Sequence, residues 1–77
     1  MILTLCWESK DMMIDIKVNR EQKIADTISI LMDGGVLPTD FDVDKNDIFS
    51  NRKGEDINLN ISYEEAEIYN GDILYIR

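Results

Sequence analysis

The sequence predicts an α+β fold in which one helix covers one face of a sheet of four to five strands. Three observations carry the prediction. Apolar and polar residues alternate over Leu3–Trp7 and again over Met12–Val18; Ile24, Ile28 and Leu31 recur at helical spacing ahead of Gly34-Gly35; and Ile73–Ile76 follows an Asn-Gly-Asp turn. Two strand periods, one helix period and a closing strand leave little room for another architecture.

The elements follow in order. Leu3, Leu5 and Trp7 set against Thr4, Cys6 and Glu8 have the period of a strand buried on one face. The polar stretch Glu8–Asp11 then turns the chain into Met12, Ile14, Ile16 and Val18, which alternate with Met13, Asp15 and Lys17. Two such runs around a short turn predict a hairpin. Asn19, with Gln22 three positions on, reads as a capping-box variant and places the helix start there. Ile24, Ile28 and Leu31 form its apolar stripe, Lys23, Asp26 and Asp33 its wet side, and Gly34-Gly35 its end. Val36–Lys45, with the sole proline, is expected to be a connecting loop. Asp47–Arg52 is expected to hold a short strand, Lys53–Glu55 a turn, Asp56–Asn58 a further short strand, Tyr63–Glu67 one helical turn and Asp72–Arg77 the last strand.

Composition narrows the function. All 77 residues fit one small domain, close to the size at which a single core suffices. One cysteine forms no internal disulfide, and with no histidine the usual zinc sites are out of reach, so no metal or other cofactor is expected. Sixteen acidic against eight basic residues give a formal charge of −8, which repels phosphates and argues against nucleic acid and anionic lipid as partners. The opening MILTLCWES lacks a basic leader region, a long apolar run and a small-residue cleavage site. With the free thiol, this gives the expectation of a cytoplasmic protein that does not insert into a membrane.

The order of elements, the Ile48-Phe49 strand and the ending SYEEAEIYNGDILYIR resemble ubiquitin over nearly the whole chain. The closing pattern of Tyr63, Ala66 and Ile68, then Asn70-Gly71-Asp72, then Leu74 and Ile76 is similar to that of the YukD/EsaB proteins, small members of the ubiquitin-like superfamily associated with bacterial type VII secretion. The resemblance implies a β-grasp fold with a mixed sheet. It also implies a cytoplasmic accessory or regulatory role carried out by protein contacts, with a membrane-associated secretion component as the partner. Conjugating ubiquitins and sulfur carriers end in a flexible Gly-Gly tail that reaches an adenylating enzyme, whereas this sequence stops at Arg77 and has its only Gly-Gly inside the chain. The expectation is a protein not competent for conjugation; the alternative is a sulfur carrier or conjugating protein whose tail is absent from this chain.

No enzyme is expected, since no nucleophile stands with a base. Cys6 has no histidine to activate it in an acidic protein and reads as a small strand residue. Asp56, Glu64 and Glu65 read as solvated surface, because a general acid needs a desolvating cleft that one helix on one sheet scarcely provides. For the same reason no small-molecule substrate is expected. Asp42, Asp44 and Asn46 copy the first ligand positions of a calcium loop, but Asp47 stands where glycine is required and Lys53 where a bidentate Glu belongs. The bland reading, a solvated acidic loop over Asp40–Asp47, is preferred, with weak calcium binding left open.

The last strand has the more useful asymmetry. If Leu74 and Ile76 face the core with Leu3 and Leu5, then Ile73, Tyr75 and Arg77 face outward, opposite the helix. Aromatic and Arg side chains dominate binding hot spots, and ubiquitin-like proteins usually dock partners on this face, which Ile48 and Met13 are expected to extend. The competing reading is that scattered exposed apolar residues are normal on a small domain. Trp7 is either the end of the core row, as its parity with Leu5 favours, or a rim anchor. The free edge of the second strand offers strand addition, although Asp15 and Lys17 are charges of the kind that discourage it.

Overall fold

The two alternating runs pair as an antiparallel hairpin in the computed structural model, which describes residues 1–42 and 44–77. Strand β1 spans Ile2–Trp7 and β2 spans Met12–Lys17, with Leu3 opposite Ile16 and Leu5 opposite Ile14. A 3₁₀ turn at Glu8–Lys10 joins them, and Asp11 closes it in the left-handed conformation at φ 50°. Helix α1 runs Ile24–Asp33, followed by β3 at Ile48–Ser50, β4 at Glu55–Asp56 and β5 at Ile73–Ile76.

The five strands form one mixed sheet in the order β2-β1-β5-β3-β4. First and last strands meet in parallel at its centre, Leu5 beside Leu74, while β3 runs antiparallel to both β5 and β4. The fold class is the predicted α+β, and a mixed five-strand sheet on one helix fits a β-grasp fold. Leu3, Leu5, Trp7, Leu74, Ile76 and Ile48 form the buried sheet face, and Ile24 and Ile28 of α1 pack into the same core with Leu37, Phe41 and Tyr63. Trp7, by parity a core residue, is 4 % exposed and meets Phe41 edge to face at 6.0 Å.

The two ends of α1 are built differently. Asn19 does not cap the helix. Its Oδ1 accepts the Glu21 N–H at 2.9 Å in a tight turn, and the helix starts four residues past the predicted cap, after Lys23. The first helical N–H groups are instead taken by the distant carbonyls of Ile61 and Leu59, at 3.0 and 2.8 Å. At the other end Val36 N–H reaches Leu31 C=O at 2.9 Å and Gly35 N–H reaches Met32 C=O at 3.1 Å, the paired bonds of a Schellman ending, with Gly35 at φ 74°.

Residues 57–72 return the chain to the centre of the sheet. Strand β4 begins one residue earlier than predicted and stops at Asp56. Ser62 and Glu65 make a reciprocal capping box, Ser62 Oγ accepting from Glu65 N–H at 3.0 Å and Glu65 Oε1 accepting from Ser62 N–H at 3.2 Å. It opens a single turn, closed by Ala66 N–H on Ser62 C=O, which seats Tyr63 in the core. The entry to β5 is fixed by Asp72. Its backbone carbonyl accepts Thr4 N–H at 3.0 Å, and its buried carboxylate accepts Ser50 Oγ–H at 2.5 Å, Arg52 N–H at 3.0 Å and Ile73 N–H at 2.8 Å.

Two predictions follow from this packing. Asp72→Ala strands three donors at once and should lower stability by about 2 kcal/mol or more in urea melts, with Asp72→Asn retaining part of it. Burial pushes the Tyr63 phenol above its ordinary 10.0, partly offset by the neighbouring Thr27 hydroxyl. A raised folded-state value stabilises the fold in full below the unfolded value and is lost as pH rises through the folded one. Stability should therefore fall above pH ~10. Tyr63→Phe should remove that part of the alkaline slope; an unchanged slope would place its cause elsewhere.

Candidate protein-docking face

Laterally paired residues of a sheet point to the same side, so the strand registers define the outward face. Met13 stands opposite Cys6, Cys6 opposite Tyr75, Tyr75 opposite Phe49 and Phe49 opposite Asp56. One row thus crosses all five strands. Its neighbours along the chain, Leu5, Leu74, Ile48 and Ser50, are buried on the opposite side, which places this row away from the helix. A second row, Asp15, Thr4 and Ile73, lies beside it, where Thr4 Oγ1–H donates to Asp15 Oδ1 at 2.7 Å.

Of the residues expected on this face, Ile73 and Tyr75 are half-buried in its two rows, Arg77 is exposed, and Met13 is 70 % exposed at the β2 end. Ile48 is not there. It is 1 % exposed, because it pairs with Ile76 and shares that residue's inward side. The outward residue of β3 is Phe49, which the sequence reading passed over. Two adjacent apolar residues on one strand imply that one of them faces out, and that was the available signal.

Arg77 organises the β3 end of the row. Its guanidinium lies 4.1 Å from the Phe49 ring centroid, and an Nη donates to Asp56 Oδ1 at 3.1 Å. The cation thus rests on the aromatic face and is oriented by the carboxylate of the next strand. Beside it, Glu8, Phe49, Tyr75, Ile76 and Arg77 line a hollow of about 240 Å³; on the other side of Glu8, a hollow of about 280 Å³ runs along Cys6, Met12 and Met13. Both are open depressions. Cys6 lies between Met13 and Tyr75 in the row and is only 4 % exposed, in keeping with a packed strand residue.

The acidic loop lies elsewhere, and Val43 within it is outside the described residues. Asp40 pairs with Lys10, whose hydrogen bond holds the Asp40 carboxyl below its ordinary value. Asp42 Oδ1 accepts Asp44 N–H at 2.9 Å, and the Asn46 side chain accepts Asp42 N–H at 3.0 Å and donates to Arg77 C=O at 3.2 Å. These oxygens are engaged in the loop's own bonds. Among the described residues, no three His, Cys, Asp or Glu side chains gather as a metal site would require, and no helix is long and apolar enough to cross a membrane. Asp56, Glu64 and Glu65 are all exposed.

Neither the protein-family models nor the curated proteins compared with the chain include a match.

Arg77→Ala should uncover Phe49 at little thermodynamic cost, under about 1 kcal/mol, since the pair is solvent-exposed. Thermal melts of this variant and of Asp56→Ala should nearly coincide with wild type; a fall of many degrees would make Arg77 a structural clamp.

Proposed function

We propose that this protein is a non-catalytic, ubiquitin-like interaction module that docks a protein partner on the outward face of its sheet. The observation that carries the reading is the continuous row through Met13, Tyr75 and Phe49 with Arg77 at its end. It brings two aromatic rings, a flexible methionine and a guanidinium onto one open surface, the residue types on which interface energy concentrates. Ile73 adds an apolar flank. The net charge of −8 favours a basic partner and raises the encounter rate with one.

The closing pattern shared with YukD/EsaB proteins gives the proposal its setting, a cytoplasmic accessory or regulatory component of a bacterial type VII secretion system. In this role the partner is a membrane-associated protein of the apparatus. The frame supports the superfamily part of the reading; the secretion part rests on the sequence resemblance alone.

The test is affinity capture from detergent-solubilised bacterial membranes, with wild type compared to the Ile73→Glu, Tyr75→Glu double variant. Wild type should recover secretion-system membrane proteins and the variant should lose them, with melting temperatures close together. Equal recovery would move the site off this face, and recovery of an adenylating enzyme would contradict the non-conjugating role.

A further inference from the structure

The outer edge of β2 carries backbone groups with no partner in the sheet. Among the described residues strand β2 pairs only with β1, and Val18 exchanges hydrogen bonds with Met1, its N–H reaching Met1 C=O at 2.8 Å while the Met1 amine reaches Val18 C=O at 3.2 Å. In an antiparallel ladder, alternate residues bond alternate sides. Val18, Ile16, Ile14 and Met12 therefore face β1 with their backbone groups, and Lys17, Asp15 and Met13 direct theirs off the sheet. A strand edge of this length is a template for another strand unless side-chain charge opposes it.

Here the charges select the added strand. For two copies of β2 set antiparallel, a two-fold axis at Asp15 puts like carboxylates face to face. An axis at Ile16 places each Asp15 opposite the other copy's Lys17, and both residues are exposed on the outward side. That register also makes Asp15 and Lys17 the narrow pairs, so each exchanges both N–H···O bonds with the facing strand. On the core side it sets the half-buried Ile16 against its own copy and Ile14 against Val18. Thr4 engages only Asp15 Oδ1, leaving Oδ2 for the new lysine.

The rest of the molecule agrees. The chain carries −8 overall, yet β2 itself carries one acid, Asp15, and one base, Lys17, so the strand is neutral on an acidic protein. The opposite edge, β4, is only two residues long, Glu55 and Asp56, and offers too short a ladder to hold a second copy.

We propose that the β2 edge binds the β2 edge of a second copy, antiparallel about a two-fold axis at Ile16, joining the two sheets into one. The proposal is independent of what docks on the outward face.

Light scattering and sedimentation from micromolar to millimolar protein test it, with Lys17→Asp and Asp15→Lys. Wild type should pass from monomer to dimer as concentration rises. Each variant alone faces like charges in both pairs and should associate roughly tenfold more weakly or less. An equimolar mixture of the two restores both pairs as a heterodimer, a result that misfolded variants would not give. On wild type alone, the Asp15 and Lys17 amides should exchange with solvent more slowly as concentration rises. Monomeric wild type at millimolar concentration, variants that self-associate as tightly as wild type, or exchange at those amides that ignores concentration would each overturn it.

Discussion

The Asp72 carboxylate is the tie on which the sheet depends. It is 5 % exposed, and a charge so placed is tolerated only when its hydrogen bonds are supplied. Ser50 of β3, the Arg52 amide beyond it and the first amide of β5 supply them, while the Asp72 carbonyl holds Thr4 of β1. One residue thereby joins three strands at the point where the last one enters between the other two. Gly71, at φ 88°, allows the turn before it, and its N–H bonds Ile2 C=O at 2.8 Å. Asn70 accepts the Ile2 N–H at 2.7 Å, adding a further tie to β1.

What that tie fixes is parity. A strand shifted by one residue exchanges its two faces, and β5 has apolar residues on both. Held in this register, Leu74 and Ile76 complete the core and Tyr75 joins the outward row; slipped by one, Tyr75 would be driven toward the helix. The surface chemistry of the protein is thus a consequence of a buried polar contact. The Arg77 and Phe49 pairing at 4.1 Å needs the same register, because it requires β5 beside β3 with both residues outward.

The sequence was most legible where a period could be counted. Six-residue strands gave the hairpin within a residue at each end, and the apolar stripe with Gly34-Gly35 gave the helix and its stop. It was least legible where a partner far along the chain does the work. The helix start looked like Asn19 because a local cap was the only visible one, whereas Ile61 and Leu59 provide the carbonyls. Strand β3 has three residues, too few to show which of Ile48 and Phe49 faces in; pairing with Ile76 decides it. The turn at Tyr63–Glu67 was legible, but the Ser62 and Glu65 capping box that opens it was not, because a single turn shows no helical period to point to its cap. Asp72 stood in the sequence as a turn residue, with nothing to indicate that Ser50 and the Arg52 amide would close around its carboxylate.

Residue-resolved native-state hydrogen exchange in low denaturant tests the central role of this tie most directly. The account predicts that the Thr4 amide and those of the β1 and β5 ladder exchange only through global unfolding, with the free energy found from denaturant melts. Amides of β5 that open at lower free energy than those of α1 would contradict it, since the last strand would then be an addition to a fold that stands without it.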